Sequence, residues 1–279
     1  MRTTISFLRT ALCVMLLPAL FSCRSRESIT EENYLKADST IWLTYERETE
    51  ALAECMKKYP EKRDSLKIVA EQVLEIALRK NEALAIKYAT TPSGLQRVYM
   101  VRLNLSKDTL RAVLETLPKE MQNSPYGKSI LAHIKNEQIE EGSPYYDFTA
   151  TDTNGREFHL SSLSGKNMLL LYGGVDCMGQ EGRDFLSSLY HKTSRSNFEI
   201  VIYWPCSSLE RLKNLKEHFS DDYIYVSDFL QDHSLFKIIY GAQATPTCFV
   251  INKEGTVITK STGLPVEQLK ALLENKFFD

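Results

Sequence analysis

The chain of 279 residues has only six cysteines, and no two of them form a Cys-x-x-Cys pair. A dithiol closed within one helical turn is therefore excluded. Its five histidines are scattered and none stands at zinc-ligand spacing from a cysteine, which leaves a metal site without support. Charge of one sign is also missing. With a net charge of −2 there is no basic excess to hold a polyanion, so no nucleic-acid partner is expected. The apolar run Ala11 to Phe21 is too short to cross a bilayer as a helix. There is no internal repeat and no low-complexity tract, while 43% hydrophobic residues suffice for a substantial core.

What is present begins with that apolar run. Arg2 and Arg9 precede it as a basic n-region, and it ends in Leu20-Phe21-Ser22-Cys23, which resembles a bacterial lipobox. Residues 1–22 are read as a lipoprotein signal peptide, with Cys23 as the lipidation site and membrane anchor. The expected location is the bacterial cell envelope, with a soluble body outside the cytoplasm. Removing Cys13 with the signal and acylating Cys23 would leave four thiols: Cys55, Cys177, Cys206 and Cys248.

Residues 23–141 read as an all-α domain. Trp42, Tyr45, Leu52, Cys55, Met56 and Tyr59 fall near one stripe at helical spacing, and Pro60 ends it. The stripe predicts that Cys55 is a small buried hydrophobe. Leu66, Val69, Val73, Ile76, Ala77, Leu84 and Tyr88 continue the pattern until the Thr91-Pro92-Ser93-Gly94 cluster breaks it. Shorter helices are expected over 96–103, over 107–117 with Ser106 as N-cap, and over 126–139. The segment Glu140-Glu141-Gly142-Ser143-Pro144 marks a domain boundary, placing a second domain at 142–279.

In that second domain strands and helices alternate, which argues for an α/β layered fold. A hairpin should turn at Asn154-Gly155. Met168 to Tyr172 reads as a strand buried on both faces, and Gly173-Gly174 then turns the chain into a helix from Gly182. Cys177 thus lies at a strand-to-helix switch, near the positive end of a helix dipole, an electropositive setting for a nucleophilic sulfur. Further strands are expected over 198–204, 223–226, 247–252 and 257–260, with helices over 209–219, 234–240 and 266–277. Cys248 alternates with Val250 in one of these strands and should pack in the core.

Several pieces arrive in an order that resembles a known family. Gly142-Ser-Pro-Tyr-Tyr-Asp-Phe-Thr149, the Asn154-Gly155 turn, Leu160-Ser-Ser-Leu-Ser-Gly-Lys166, the strand with Cys177, Ala244-Thr245-Pro246-Thr247 and Ile251-Asn-Lys-Glu-Gly255 are similar to bacterial envelope redoxins, thioredoxin-like thiol–disulfide oxidoreductases. The resemblance implies an α/β thioredoxin-like fold, a central mixed sheet flanked by helices, preceded here by the helical domain. It implies no cofactor, and partners that are protein thiols or disulfides in the envelope. It makes Cys177 the nucleophile and gives Thr245 and Pro246 a substrate-binding role, with Pro246 cis beside the sulfur. The chain departs from the family at Cys177-Met178-Gly179-Gln180, where Gln180 replaces the second Cys, and at Asp176, which replaces the usual Trp. Gln180 cannot close a disulfide, and the charge of Asp176 offsets part of the helix-end field.

Cys206 follows the strand over 198–204. If that strand runs parallel to Met168–Tyr172 at about 5 Å, both cysteines reach one sheet edge, and Cys206 becomes a candidate resolving thiol. Two functions then compete: thiol–disulfide exchange through Cys177, or a redox-inactive module that holds extended polypeptide beside Pro246. A peroxiredoxin motif fails, because Leu170 and Gly174 occupy its Pro and Thr positions. A phosphate loop fails as well, with Gln180 and Glu181 where Lys and a hydroxyl residue belong.

Overall fold

A computed structural model describes residues 28–219, 222–275 and 277. The expected leader and the expected lipidation site at Cys23 lie outside the described residues. The N-terminal half is helical: α1 (Glu31–Lys58), α2 (Arg63–Lys87), α3 (Pro92–Met100), α4 (Lys107–Thr116), α5 (Lys119–Gln122) and α6 (Pro125–Lys135). Hydroxyl caps start four of these helices, since Thr30, Thr91, Ser106 and Ser124 each accept from the backbone N–H three residues on. The Thr91-Pro92 cluster expected to break a helix therefore also starts one, with Pro at the first helical position, where its missing N–H costs nothing. The helix expected over 96–103 is correspondingly shifted toward the N-terminus.

The apolar stripe of α1 is not a core. Tyr34 is the buried residue of that helix, and Cys55, expected to be buried, is exposed. The physical reason is that α1 and α2 form a long hairpin whose outer half packs on itself alone. Ala77, Asn81 and Ala85, the buried residues of α2, all belong to its second half. Ile68 remains 58% exposed and Leu43 61%. The true core of this half, around Leu95, Val98, Tyr99, Leu110 and Ile130, sits among α3, α4 and α6.

The C-terminal half opens with a hairpin of β1 (Thr149–Asp152) and β2 (Glu157–His159). Asp152 accepts from the Asn154 and Arg156 N–H groups, and Gly155 takes φ 78°, a conformation open to glycine at little cost. There follow β3 (Asn167–Tyr172), α7 (Gly179–Lys192), β4 (Phe198–Tyr203), α8 (Leu209–Glu217), β5 (Ile224–Ser227), α9 (Leu235–Ile239), β6 (Thr247–Ile251), β7 (Val257–Thr262) and α10 (Val266–Glu274). The sheet has the order β2-β1-β5-β4-β3-β6-β7. Central β3 is parallel to β4, with Tyr172 opposite Tyr203, and antiparallel to β6, with Tyr172 opposite Thr247.

Every residue of β3 is buried. Its alternation serves both faces: Met168, Leu170 and Tyr172 pack with Phe236, Tyr240 and Phe249 toward α9, while Leu169 and Leu171 pack with Leu186, Leu212 and Leu269 of α7, α8 and α10. A continuous apolar run is what a strand covered on both sides requires. The helical half docks on the α9 side. Ile238 of α9 joins the helical core, Arg102 donates to the Lys237 carbonyl at 3.4 Å, and Gln243 Nε2 donates to the Met100 carbonyl at 3.0 Å.

Candidate functional site

The end of β3 and the start of β6 bring the site together. Gly173 and Gly174 have φ of 60° and 82°, and a Cβ on Gly174 would lie 2.4 Å from Pro246 N. Only glycine lets these two segments approach so closely. The Gly174 carbonyl then accepts from the N–H groups of Cys177 at 3.2 Å and Met178 at 3.0 Å, a turn that leads into α7. This helix begins at Gly179, three residues earlier than its apolar spacing predicts.

Cys177 is exposed at that turn. Its Sγ lies 3.5 Å from the Gly174 carbonyl and 3.7 Å from the Thr245 carbonyl. Thr245–Pro246 is a cis peptide bond. The β6-side loop is held by Thr247 Oγ1, which donates to the Ala244 carbonyl at 2.6 Å, and by Gly263 N–H, which donates to the Pro246 carbonyl at 2.8 Å. Cys177, Thr245 and Pro246 are thus brought to one place, although 68 residues separate the first two along the chain.

Gln180 is turned along the helix surface: its Nε2 donates to Asp184 at 2.7 Å and its Oε1 accepts from Arg183 at 3.0 Å. Cys206 is free, 4% exposed, and packed in the α7/α8 core, its Sγ donating to the Ser208 carbonyl at 3.4 Å. Cys248 is fully buried in β6, and burial pushes its thiol up to about 12, which keeps it protonated and inert. Among the described residues no group of three or more His, Cys, Asp or Glu could hold a metal ion.

The strand-to-helix turn with an exposed cysteine facing a cis-Pro loop, on a β5-β4-β3-β6-β7 mixed sheet covered by helices on both faces, defines the class: a thioredoxin-like domain. The comparisons with known proteins carry this further. The thiol–disulfide oxidoreductase ResA of Bacillus subtilis is 29% identical over 134 residues, 48% of this chain and 73% of that protein. ResA of Geobacillus thermodenitrificans is 28% identical over 173 residues, 61% of this chain and 98% of that one. A solved thiol–disulfide oxidoreductase from Bacteroides fragilis superposes with a TM-score of 0.42 at 15% identity, covering 48% of this chain. No family model matches the chain. The chain is thus similar, over its C-terminal half, to thioredoxin-like thiol–disulfide oxidoreductases, with a helical half in front of that domain.

Sequence reasoning passed over one feature of the site region. Tyr126 of α6, Tyr172, Asp232, Lys237 and Gln243 line a cavity beside Thr245, between the two halves. Behind it Arg102 is fully buried, its guanidinium 4.2 Å above the Tyr99 ring, and Tyr99 itself is pushed up to about 12 by burial. The legible signal was a charged residue on an otherwise apolar short helix, Lys237 within Leu235-Phe-Lys-Ile-Ile239.

Proposed function

We propose that this protein exchanges thiols and disulfides through Cys177 as a single nucleophile. The observation that supports the reading best is an exposed sulfur lying 3.7 Å from the Thr245 carbonyl, at the edge of a groove where a polypeptide can pair with backbone. The Thr245 N–H has no partner among the described residues and can donate to a bound extended segment. In the reaction the Cys177 thiolate attacks one sulfur of a partner disulfide. A Cys177–partner bond forms, the partner's S–S bond breaks, and the other sulfur leaves as thiolate.

Gln180 cannot resolve that intermediate, so a thiol must come from elsewhere. An external thiol that attacks the Cys177 sulfur releases the partner as thiolate and leaves a Cys177–thiol disulfide, which a second external thiol cleaves to regenerate Cys177 and carry the disulfide away. Cys206 is the internal alternative: its attack on Cys177 would release the partner fully reduced and leave a Cys177–Cys206 disulfide. It would first have to leave the Ser208 carbonyl and its packed surroundings. Counting protected thiols after mild oxidation of wild type, Cys177→Ser and Cys206→Ser tests this; equal numbers in all three end the internal route.

The second reading is a redox-inactive polypeptide-binding module, favoured by the one observation that the resolving position is a glutamine tied to Arg183 and Asp184. Alkylation of Cys177 by iodoacetamide across pH, with trapping of mixed disulfides, separates the two. A rate no faster than that of a small free thiol, with nothing trapped, supports the module. The body is further proposed to be a lipoprotein of the cell envelope, on the strength of Arg2, Arg9 and the Leu20–Cys23 sequence. Incorporation of labelled fatty acid into the wild type and not into Cys23→Ser is the expected result. Among the described residues no helix is long and apolar enough to cross a membrane.

A further inference from the structure

The cavity beside Thr245 has a volume of about 530 Å³ and is walled by both halves of the chain. Tyr126 comes from α6 of the helical half, Tyr172 from the end of β3, and Asp232 and Lys237 from the segment around α9. It adjoins the loop on which the Cys177 sulfur rests, so a polypeptide seated at Thr245 passes its mouth.

Beside the hydroxyls of Tyr126 and Tyr172, the Gln231 amide and the His233 ring, the wall carries two acceptors, on Asp232 and Gln243. Lys237 and Asp232 form an ion pair, but unequally: the lysine side chain is 6% exposed and the aspartate 43%, so the carboxylate is the more accessible of the two to an incoming group. Gln243 donates its amide N–H to the Met100 carbonyl, which can only accept. That fixes the amide orientation, and leaves Gln243 Oε1 as a buried acceptor without a partner among the described residues. Such an acceptor is costly to leave unpaired, and a donor that reaches it recovers the cost. A carboxylate in the cavity would face Asp232, and an apolar side chain would bury it without compensation.

We infer that this cavity is a specificity subsite that takes an N–H-donating side chain, an amide or a basic group, from the polypeptide held in the Thr245 groove. The inference rests on the exchange reading of Cys177 for its assay and on the cavity for its content. The helical half is then part of substrate recognition, since it supplies Tyr126 and braces Gln243 through Met100.

The test uses the full chain and a set of single-cysteine peptides activated as 2-thiopyridyl disulfides. Cys177 attacks the peptide sulfur, the peptide–Cys177 disulfide forms, and 2-thiopyridone leaves and is measured. Gln, Arg, Met and Glu are placed in turn at each of three positions on either side of the peptide cysteine. At one position Gln or Arg should react about fivefold faster than the near-isosteric Met, with Glu slowest, the gain of one buried hydrogen bond. The Gln-to-Arg ratio distinguishes a neutral from a charged donor. In Asp232→Asn and in Gln243→Met the preference over Met should shrink toward unity; the wild-type ratio stands as evidence even if a variant fails to fold. Equal rates for all four peptides, or a preference for Glu or Met, overturn the subsite. If 2,2′-dithiodipyridine itself fails to react at Cys177, the exchange reading has failed instead. Affinities of the same peptides with a blocked cysteine then decide the subsite by the same ratio.

Discussion

Cys55 and Cys177 are both exposed thiols, yet their surroundings differ completely. Cys55 stands near the outer end of α1, in the half of the hairpin where α1 and α2 pack on each other alone. Cys177 stands where a strand buried on both faces gives way to a helix, with two backbone carbonyls within 3.7 Å and a loop from β6 across from it. Exposure alone thus says little about chemistry. What distinguishes the second thiol is the support beneath it, a sheet covered by helices on both faces, which brings the Thr245 backbone and a sulfur to one edge.

The largest effect expected from breaking this comparison is chemical. Cys177→Ser should abolish mixed-disulfide trapping, whereas Cys55→Ser should leave the yield unchanged, read on non-reducing gels after quenching. Next is the support itself. Leu170→Ala removes a fully buried side chain at the centre of β3 and should cost about 2–5 kcal/mol in urea unfolding, because the sheet cannot collapse around the hole. Gly174→Ala should cost about 1–3 kcal/mol and slow alkylation of Cys177, since its φ of 82° is hostile to a side chain and the new Cβ would meet Pro246.

A smaller effect separates the halves by pH. His133 in α6 is buried, and desolvation first, then the charges of Arg102 and Lys107, lower it to about 4 from an ordinary value near 6.5. The folded state holds the neutral ring, so the unfolded chain binds the proton first. The stability this contributes is complete above about pH 6.5 and is lost as pH falls toward 4. Thermal melts by circular dichroism should show that slope in wild type and its reduction in His133→Gln. The smallest effect belongs to the hairpin: Ile68→Ser, at a side chain 58% exposed, should shift stability by no more than about 0.5 kcal/mol.

The C-terminal half was readable because its signals are local and agree with one another. The buried run Met168–Tyr172, the Gly173-Gly174 turn and the Asn154-Gly155 hairpin each specify backbone by short-range sterics and hydrogen bonds. The helical half was read correctly as helix and incorrectly as core at Cys55. Periodicity states which face is apolar, and says nothing of whether a third layer will cover it.

Residue order determined by itself that an apolar segment would end in two glycines and a lone thiol, and that no second thiol would follow within the turn. Tertiary structure alone decided which sulfur became accessible beside Thr245 and which became a packed core atom. It also decided that Arg102 would meet the Lys237 carbonyl, and Gln243 the Met100 carbonyl, across the seam between the halves. Those outcomes depend on contacts between residues far apart in the chain, where burial and desolvation, and not local propensity, set the environment of each group.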